Sequence, residues 1–175
     1  MTQVPFVVVS GPPGSGKTTL ATALAAGLGL PLISKDAIKE ALLSVLTVSD
    51  SEASQELGRA SMAVLYGLAK DSGTGAVLEA NFRRSKSVGE LRKLRGSVVE
   101  VHCQCTRTVA LERYRSRQES RHPGHFDAHR TEAELWDGDM VGPLAGGWPV
   151  LEVDTNARVD IPAVLGAIRD LTSNT

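Results

Sequence analysis

Gly11, Gly16, Lys17 and Thr18 satisfy the spacing G-x-x-x-x-G-K-[ST] inside the run Gly11-Pro12-Pro13-Gly14-Ser15-Gly16-Lys17-Thr18. Each residue type in that run has a use. Glycines let successive backbone N–H groups turn inward without a Cβ clash, so the stretch Gly11, Pro13, Gly14, Ser15 and Gly16 is expected to wrap phosphate oxygens at the positive end of the following helix. Lys17 adds a point charge on the terminal phosphates, and the Thr18 hydroxyl is a hard oxygen suited to magnesium bridging the same phosphates. Thr19 is a candidate contact to the α-phosphate. The pattern therefore predicts a nucleoside triphosphate, ATP with Mg2+, as the bound cofactor.

Asp36 lies where the second apolar run ends, at Ile33-Ser34-Lys35-Asp36. In a parallel sheet the carboxyl ends of strands line the ligand crevice, which puts Asp36 near the γ-phosphate. A helix cap is the alternative use of that side chain. Glu79 closes the third run at the same rim, followed by Asn81, Arg83 and Arg84. Arg113 and Arg117 share a helical face at a spacing of four, with Arg121 beyond them, although a solvated basic helix with Glu112 and Glu119 has the same pattern. His122, His125 and His129 mimic a zinc spacing, but Pro123 and Gly124 between the first two favour a turn. Cys103 and Cys105 are too close in sequence to bridge without strain and read as strand residues. Trp136 and Trp148 read as packing residues.

Apolar runs of strand length alternate with amphipathic segments, the pattern of a parallel sheet covered by helices. Strands are expected at Phe6–Ser10, Leu32–Ser34, Ala76–Ala80, Val98–Gln104 and Val150–Val153. Helices are expected over 17–28, 36–45, 52–71, 85–94, 108–118 and 161–171. The 52–71 helix is expected to bury Leu57, Ala60, Val64, Leu65 and Leu68. Residues 119–148 carry charges, histidines, prolines and glycines with little periodicity and read as a mobile segment over the site.

The chain has 175 residues with 42% apolar content, enough for one domain. A formal net charge of -1 argues against a nucleic acid partner. No stretch approaches the roughly 20 apolar residues of a membrane span, no basic leader follows Met1, and the two cysteines suit a reducing cytoplasm. Oligomeric state is not legible.

The segments Gly11–Thr19, Ser34–Glu40 (S-K-D-A-I-K-E) and Val77–Arg84 (V-L-E-A-N-F-R-R) resemble the small P-loop kinases of the AAA-domain kinase group that includes chloramphenicol phosphotransferase, zeta toxins and polynucleotide 5′-kinase domains. The resemblance implies an α/β/α sandwich on a five-stranded parallel sheet, like that of nucleoside monophosphate kinases, in a single domain over residues 1–175 with a small helical lid at about 113–135. It carries the role of proton acceptor to Asp36 and acceptor binding to Glu79, Asn81 and Arg84, while a water-mediated magnesium contact remains an alternative for Glu79. Leu111-Glu112-Arg113 with Arg117 resembles the lid of these kinases, in which one arginine stacks on adenine and another reaches the phosphates. On that basis Arg117 and Arg121 join Lys17 and Asp36 as catalytic candidates. Asp154-Thr155-Asn156 resembles the loop bordering the adenine, although a turn or cap is equally consistent, and Asp154, Thr155 and Arg113 are candidate nucleotide contacts. The expected activity is ATP-dependent phosphorylation of a hydroxyl on a small metabolite, antibiotic or sugar derivative. The alternatives are a polynucleotide 5′-hydroxyl kinase, or a nucleotide-dependent switch in which Asp36 would be dispensable.

Overall fold

The structure is a computed structural model, which describes residues 5–118, 131 and 135–173. Five strands, β1 (Pro5–Ser10), β2 (Leu32–Ser34), β3 (Ala76–Glu79), β4 (Ser97–Gln104) and β5 (Val150–Asp154), form one parallel sheet in the order β2-β3-β1-β4-β5. The helices are α1 (Lys17–Leu28), α2 (Lys35–Leu43), α3 (Ser51–Asp71), α4 (Arg84–Leu91), α5 (Arg107–Gln118), the short α6 (Gly138–Val141) and α7 (Ile161–Ser173).

The central strand explains the layering. Residues Phe6 to Ser10 are all buried, as expected of a strand covered on both faces, and successive side chains point to opposite sides. Phe6 and Val8 enter one core with Leu65, Tyr66, Leu78, Phe82 and Leu91, beneath α3 and α4. Val7 and Val9 enter the other with Leu20, Leu24, Val101, Cys103 and Ile168, beneath α1 and α7. One apolar run thus supplies the middle of an α/β/α sandwich, in agreement with the expected fold.

Three local expectations are corrected. Ser34, and not Asp36, caps α2: its hydroxyl accepts the Ala37 N–H at 3.4 Å, while Asp36 sits in the first turn. The buried stripe of α3 is Ser54, Ser61, Leu65, Tyr66 and Ala69, whereas Val64 and Leu68 are 43% and 51% exposed. Leu65 is buried as expected, but Ala60 is exposed too, so the packed stripe turns away from Val64 and Leu68 and takes in Ser54 and Ser61. The described end of the 119–148 stretch is anchored: Leu135, Met140 and Leu144 are buried and Trp148 packs on the first core. Ser85 donates both its N–H and its hydroxyl to Asp139, which holds that carboxyl below its ordinary range.

Candidate phosphate-transfer site

The phosphate loop starts where β1 ends and closes on the N-terminus of α1. Gly11, Gly14 and Gly16 all have positive φ, at 133°, 80° and 82°. At two of these positions space is also short. A Cβ on Gly14 would stand 2.0 Å from the Ala110 carbonyl oxygen, and one on Gly11 would stand 2.6 Å from that of Cys103. The loop is therefore pressed onto the end of β4 and the start of α5 by backbone contact that no side chain permits. Ser15 is fully buried, and its hydroxyl is among the buried polar atoms without a hydrogen-bond partner, as in a cradle built for a guest. Lys17 is 5% exposed and donates to the Pro12 carbonyl at 2.8 Å, which folds the ammonium back along the loop.

Glu79 links the loop to the next element. Register pairs it with Val9 on β1 and Ser34 on β2, so it stands at the rim between them. It is 4% exposed, receives the Ser34 hydroxyl at 2.6 Å on Oε2, and has Thr18 Oγ1 at 3.5 Å from Oε1. Ser34 is at the same time the cap of α2. One carboxylate thus joins Thr18 to the helix whose first turn carries Asp36. Asp36 pairs with Lys35 at 3.0 Å. One turn further along α2, Lys39 is 5% exposed and donates to Ser54 of α3 at 2.7 Å.

On the other side of the loop lies an open cavity of about 560 Å³, lined by Gly16, Thr18, Thr19, Leu20, Ala23, Arg113, Ser116, Thr155, Ala157, Arg158, Val159 and Ile161. Its walls combine apolar side chains of α1 and the β5–α7 connection with the guanidinium of Arg113, which donates to the Thr155 carbonyl at 2.9 Å. Thr155 is 5% exposed and donates its hydroxyl to the Ser15 carbonyl at 2.7 Å. Sequence reasoning missed the lining residues Ala157, Arg158 and Val159, because a connection without periodicity carries no signal.

Two expected residues stand outside this grouping. Arg84 donates through Nε and Nη2 to the Pro143 carbonyl at 3.2 and 2.6 Å, so its fork anchors the segment before β5 rather than facing an acceptor. Asp154 does not line the cavity; its Oδ1 accepts from the N–H and side-chain amide of Asn156, a turn built by the side chain itself. Asn81 lies half-buried in the turn after β3. Arg121, His122, His125 and His129 lie outside the described residues, and of Arg117 only the backbone is described. Among the described residues no group of three or more His, Cys, Asp or Glu is placed to hold a metal. No helix among the described residues is long and apolar enough to cross a membrane.

A family model described as "AAA domain" matches residues 6–136. A solved structure from Chloroflexus aurantiacus, assigned as a kinase with no named substrate, is 35% identical, with 98% of this chain and 99% of that one covered and a TM-score of 0.87. A gluconokinase from Sinorhizobium meliloti aligns at 18% identity over 99% and 97% of the two chains, with a TM-score of 0.66. Shikimate kinase from Acinetobacter baumannii, solved with shikimate, aligns at 20% over 99% and 95%, with a TM-score of 0.63. At these lower identities the likeness is one of fold. No curated protein matches the chain.

Proposed function

The chain belongs to the AAA-domain family and has the fold of its P-loop kinases, and we propose that it is an ATP-dependent kinase that phosphorylates a hydroxyl group of a small molecule. Residues 1–175 form one domain in this reading, with a lid at about 113–135. The observation that carries it is the convergence on Glu79 of Thr18, 3.5 Å away, and of Ser34, which donates to it at 2.6 Å and caps the helix that bears Asp36.

Each residue then has a task. Loop amides from Gly11 to Gly16 and the Lys17 ammonium bind the β- and γ-phosphates, with Thr19 on the α-phosphate. Magnesium, when bound with the triphosphate, neutralises charge between the β- and γ-oxygens. Thr18 and, directly or through water, Glu79 are the residues that would hold it. Asp36 accepts a hydrogen bond from the acceptor hydroxyl and aims its oxygen in line with the γ-phosphate. A weak base suffices there, because phosphoryl transfer has a loose transition state and gains mainly from orientation and charge stabilisation. Arg113 and Thr155 border the base in the cavity, and Asn81 faces the acceptor. Arg117 and Arg121 neutralise charge on the transferred group from the lid. A protein of this kind works in the cytoplasm, where ATP is supplied.

The test is Asp36→Asn, with ATP affinity and acceptor-dependent ADP release measured across a panel of sugars, metabolites and antibiotics. Turnover is expected to fall by about 10²–10⁴-fold with nucleotide affinity changed less than about threefold. Transfer that survives the substitution nearly intact would remove the orienting role and with it this reading.

A further inference from the structure

A buried polar cluster on the opposite flank of the phosphate loop takes no part in the chemistry above. Ser10, Glu100 and His102 are 2%, 0% and 1% exposed, and register sets Ser10 beside His102 and Val8 beside Glu100. The Ser10 hydroxyl is 2.6 Å from Glu100 Oε1 and 2.8 Å from His102 Nδ1. His102 Nε2 lies 3.1 Å from the Val141 carbonyl. Glu100 also receives the Leu144 N–H at 2.8 Å and the Trp148 indole N–H at 3.1 Å. The cluster therefore ties the residue just before Gly11 to a strap, 138–148, at three points.

Counting hydrogens gives the cluster a further property. Its internal contacts, Glu100 to Ser10, Ser10 to His102 and His102 to the Val141 carbonyl, need three hydrogens. The hydroxyl of Ser10 supplies one, and Nε2–H supplies another because a carbonyl only accepts. The third sits on either the Glu100 carboxyl or Nδ1 of His102. With it removed, two acceptors confront a single hydroxyl hydrogen; with a second one added, the Ser10 hydrogen loses its acceptor. Only the form with one shared proton satisfies every contact, and an unsatisfied buried polar group is costly.

We propose that Glu100 and His102 are positioning residues for the phosphate loop, acting through Ser10, and that the proton they share is taken up more completely when a triphosphate occupies the loop. The charges around the imidazole give the sign. Burial is the largest influence and holds His102 below the ordinary imidazole value; Glu100 on its own strand, the Val141 carbonyl of α6 and Glu152 on β5 act to raise it, and Lys17 acts to lower it. Phosphate anions arriving at Lys17 cancel the one opposing cation among these groups. The protonated cluster is then favoured, so binding draws in a proton, and by linkage affinity weakens as pH rises through the window in which His102 titrates. The strap shares the same cluster, so the entry of the loop and the segment beside α4 tighten together.

This inference rests on nucleotide binding by the loop, and one experiment separates the two. A non-hydrolysable ATP analogue with magnesium is titrated into the full chain at pH 7 by calorimetry, in three buffers of different ionisation enthalpy. Wild type should take up a fraction of a proton per site. His102→Asn keeps a hydrogen-bonding group toward Ser10 but cannot titrate, and its uptake should fall below about a third of the wild-type value, which also subtracts protons contributed by the ligand. His102→Gln, which likewise cannot titrate, carries the test if His102→Asn fails to fold, and Ser10→Ala, which removes the bridge while leaving the imidazole, should weaken nucleotide affinity. Binding by wild type with no buffer dependence, or unchanged uptake in the His102 variants, overturns the linkage and leaves the kinase reading standing. Absence of any binding by wild type overturns both.

Discussion

The two sides of the crevice are built by different means. On the phosphate side, glycines with positive φ press against the backbone of Cys103 and Ala110, and Thr155 braces the Ser15 carbonyl. On the α2 side, side chains do the holding: Ser34 on Glu79 and Lys39 on Ser54. Helix α2 buries only Lys39 and Leu43, and the turn after it leaves Val45 and Leu46 at 77% and 49% exposure. Backbone contacts leave a preformed cradle for a ligand that never changes. A side held by polar side chains over little buried apolar surface sits at the low end of local stability, which suits the acceptor side of the kinase proposed above.

Substitutions on each side sharpen this contrast. Gly14→Ala combines a left-handed backbone with a clash onto the Ala110 carbonyl, and should cost about 2–4 kcal/mol in chemical denaturation with at least a tenfold loss of nucleotide affinity. Affinity that survived would mean the cradle yields. Ser34→Ala removes the α2 cap and a donor to Glu79, with an expected cost of about 1–2 kcal/mol. Its kinetic effect should fall on acceptor KM and kcat, with nucleotide affinity nearly unchanged; an equal loss of both would mean that the two sides are one unit. Leu68→Ser, on the exposed face of α3, should shift stability by less than about 0.5 kcal/mol, and a larger loss in a melting experiment would show that this face is covered in solution.

The same contrast explains what was legible. A loop whose glycines answer to backbone geometry leaves a fixed local signature, so Gly11 to Thr18 and the flanking β1 and α1 could be read from the chain. Ser34 and Asp36 are both competent caps, and only Glu79, distant in sequence, favours the serine. Helix α3 buries Ser54, Ser61 and Ala69 beside Leu65 and Tyr66, and residues so small or polar do not mark a packed face in the sequence. Leu135, Met140, Leu144 and Trp148 are spaced too irregularly to announce that they pack. Glu100 looks like an interruption in an apolar strand until Leu144 and Trp148 come to meet it. Arg84 has the residue type of a ligand contact, and only the position of Pro143 shows how it is used.

The placement of β1 has a consequence for biosynthesis. The strand that ends in the nucleotide cradle has no partner among its sequence neighbours; its hydrogen bonds wait for Ala76–Glu79 on one side and Ser97–Gln104 on the other. A nascent chain leaving the ribosome therefore carries that apolar strand unpaired until β3 has followed it, and with one edge still open until β4 has. Competence to hold ATP arrives late and all at once, and a truncated product lacking β4 has no stable cradle to offer.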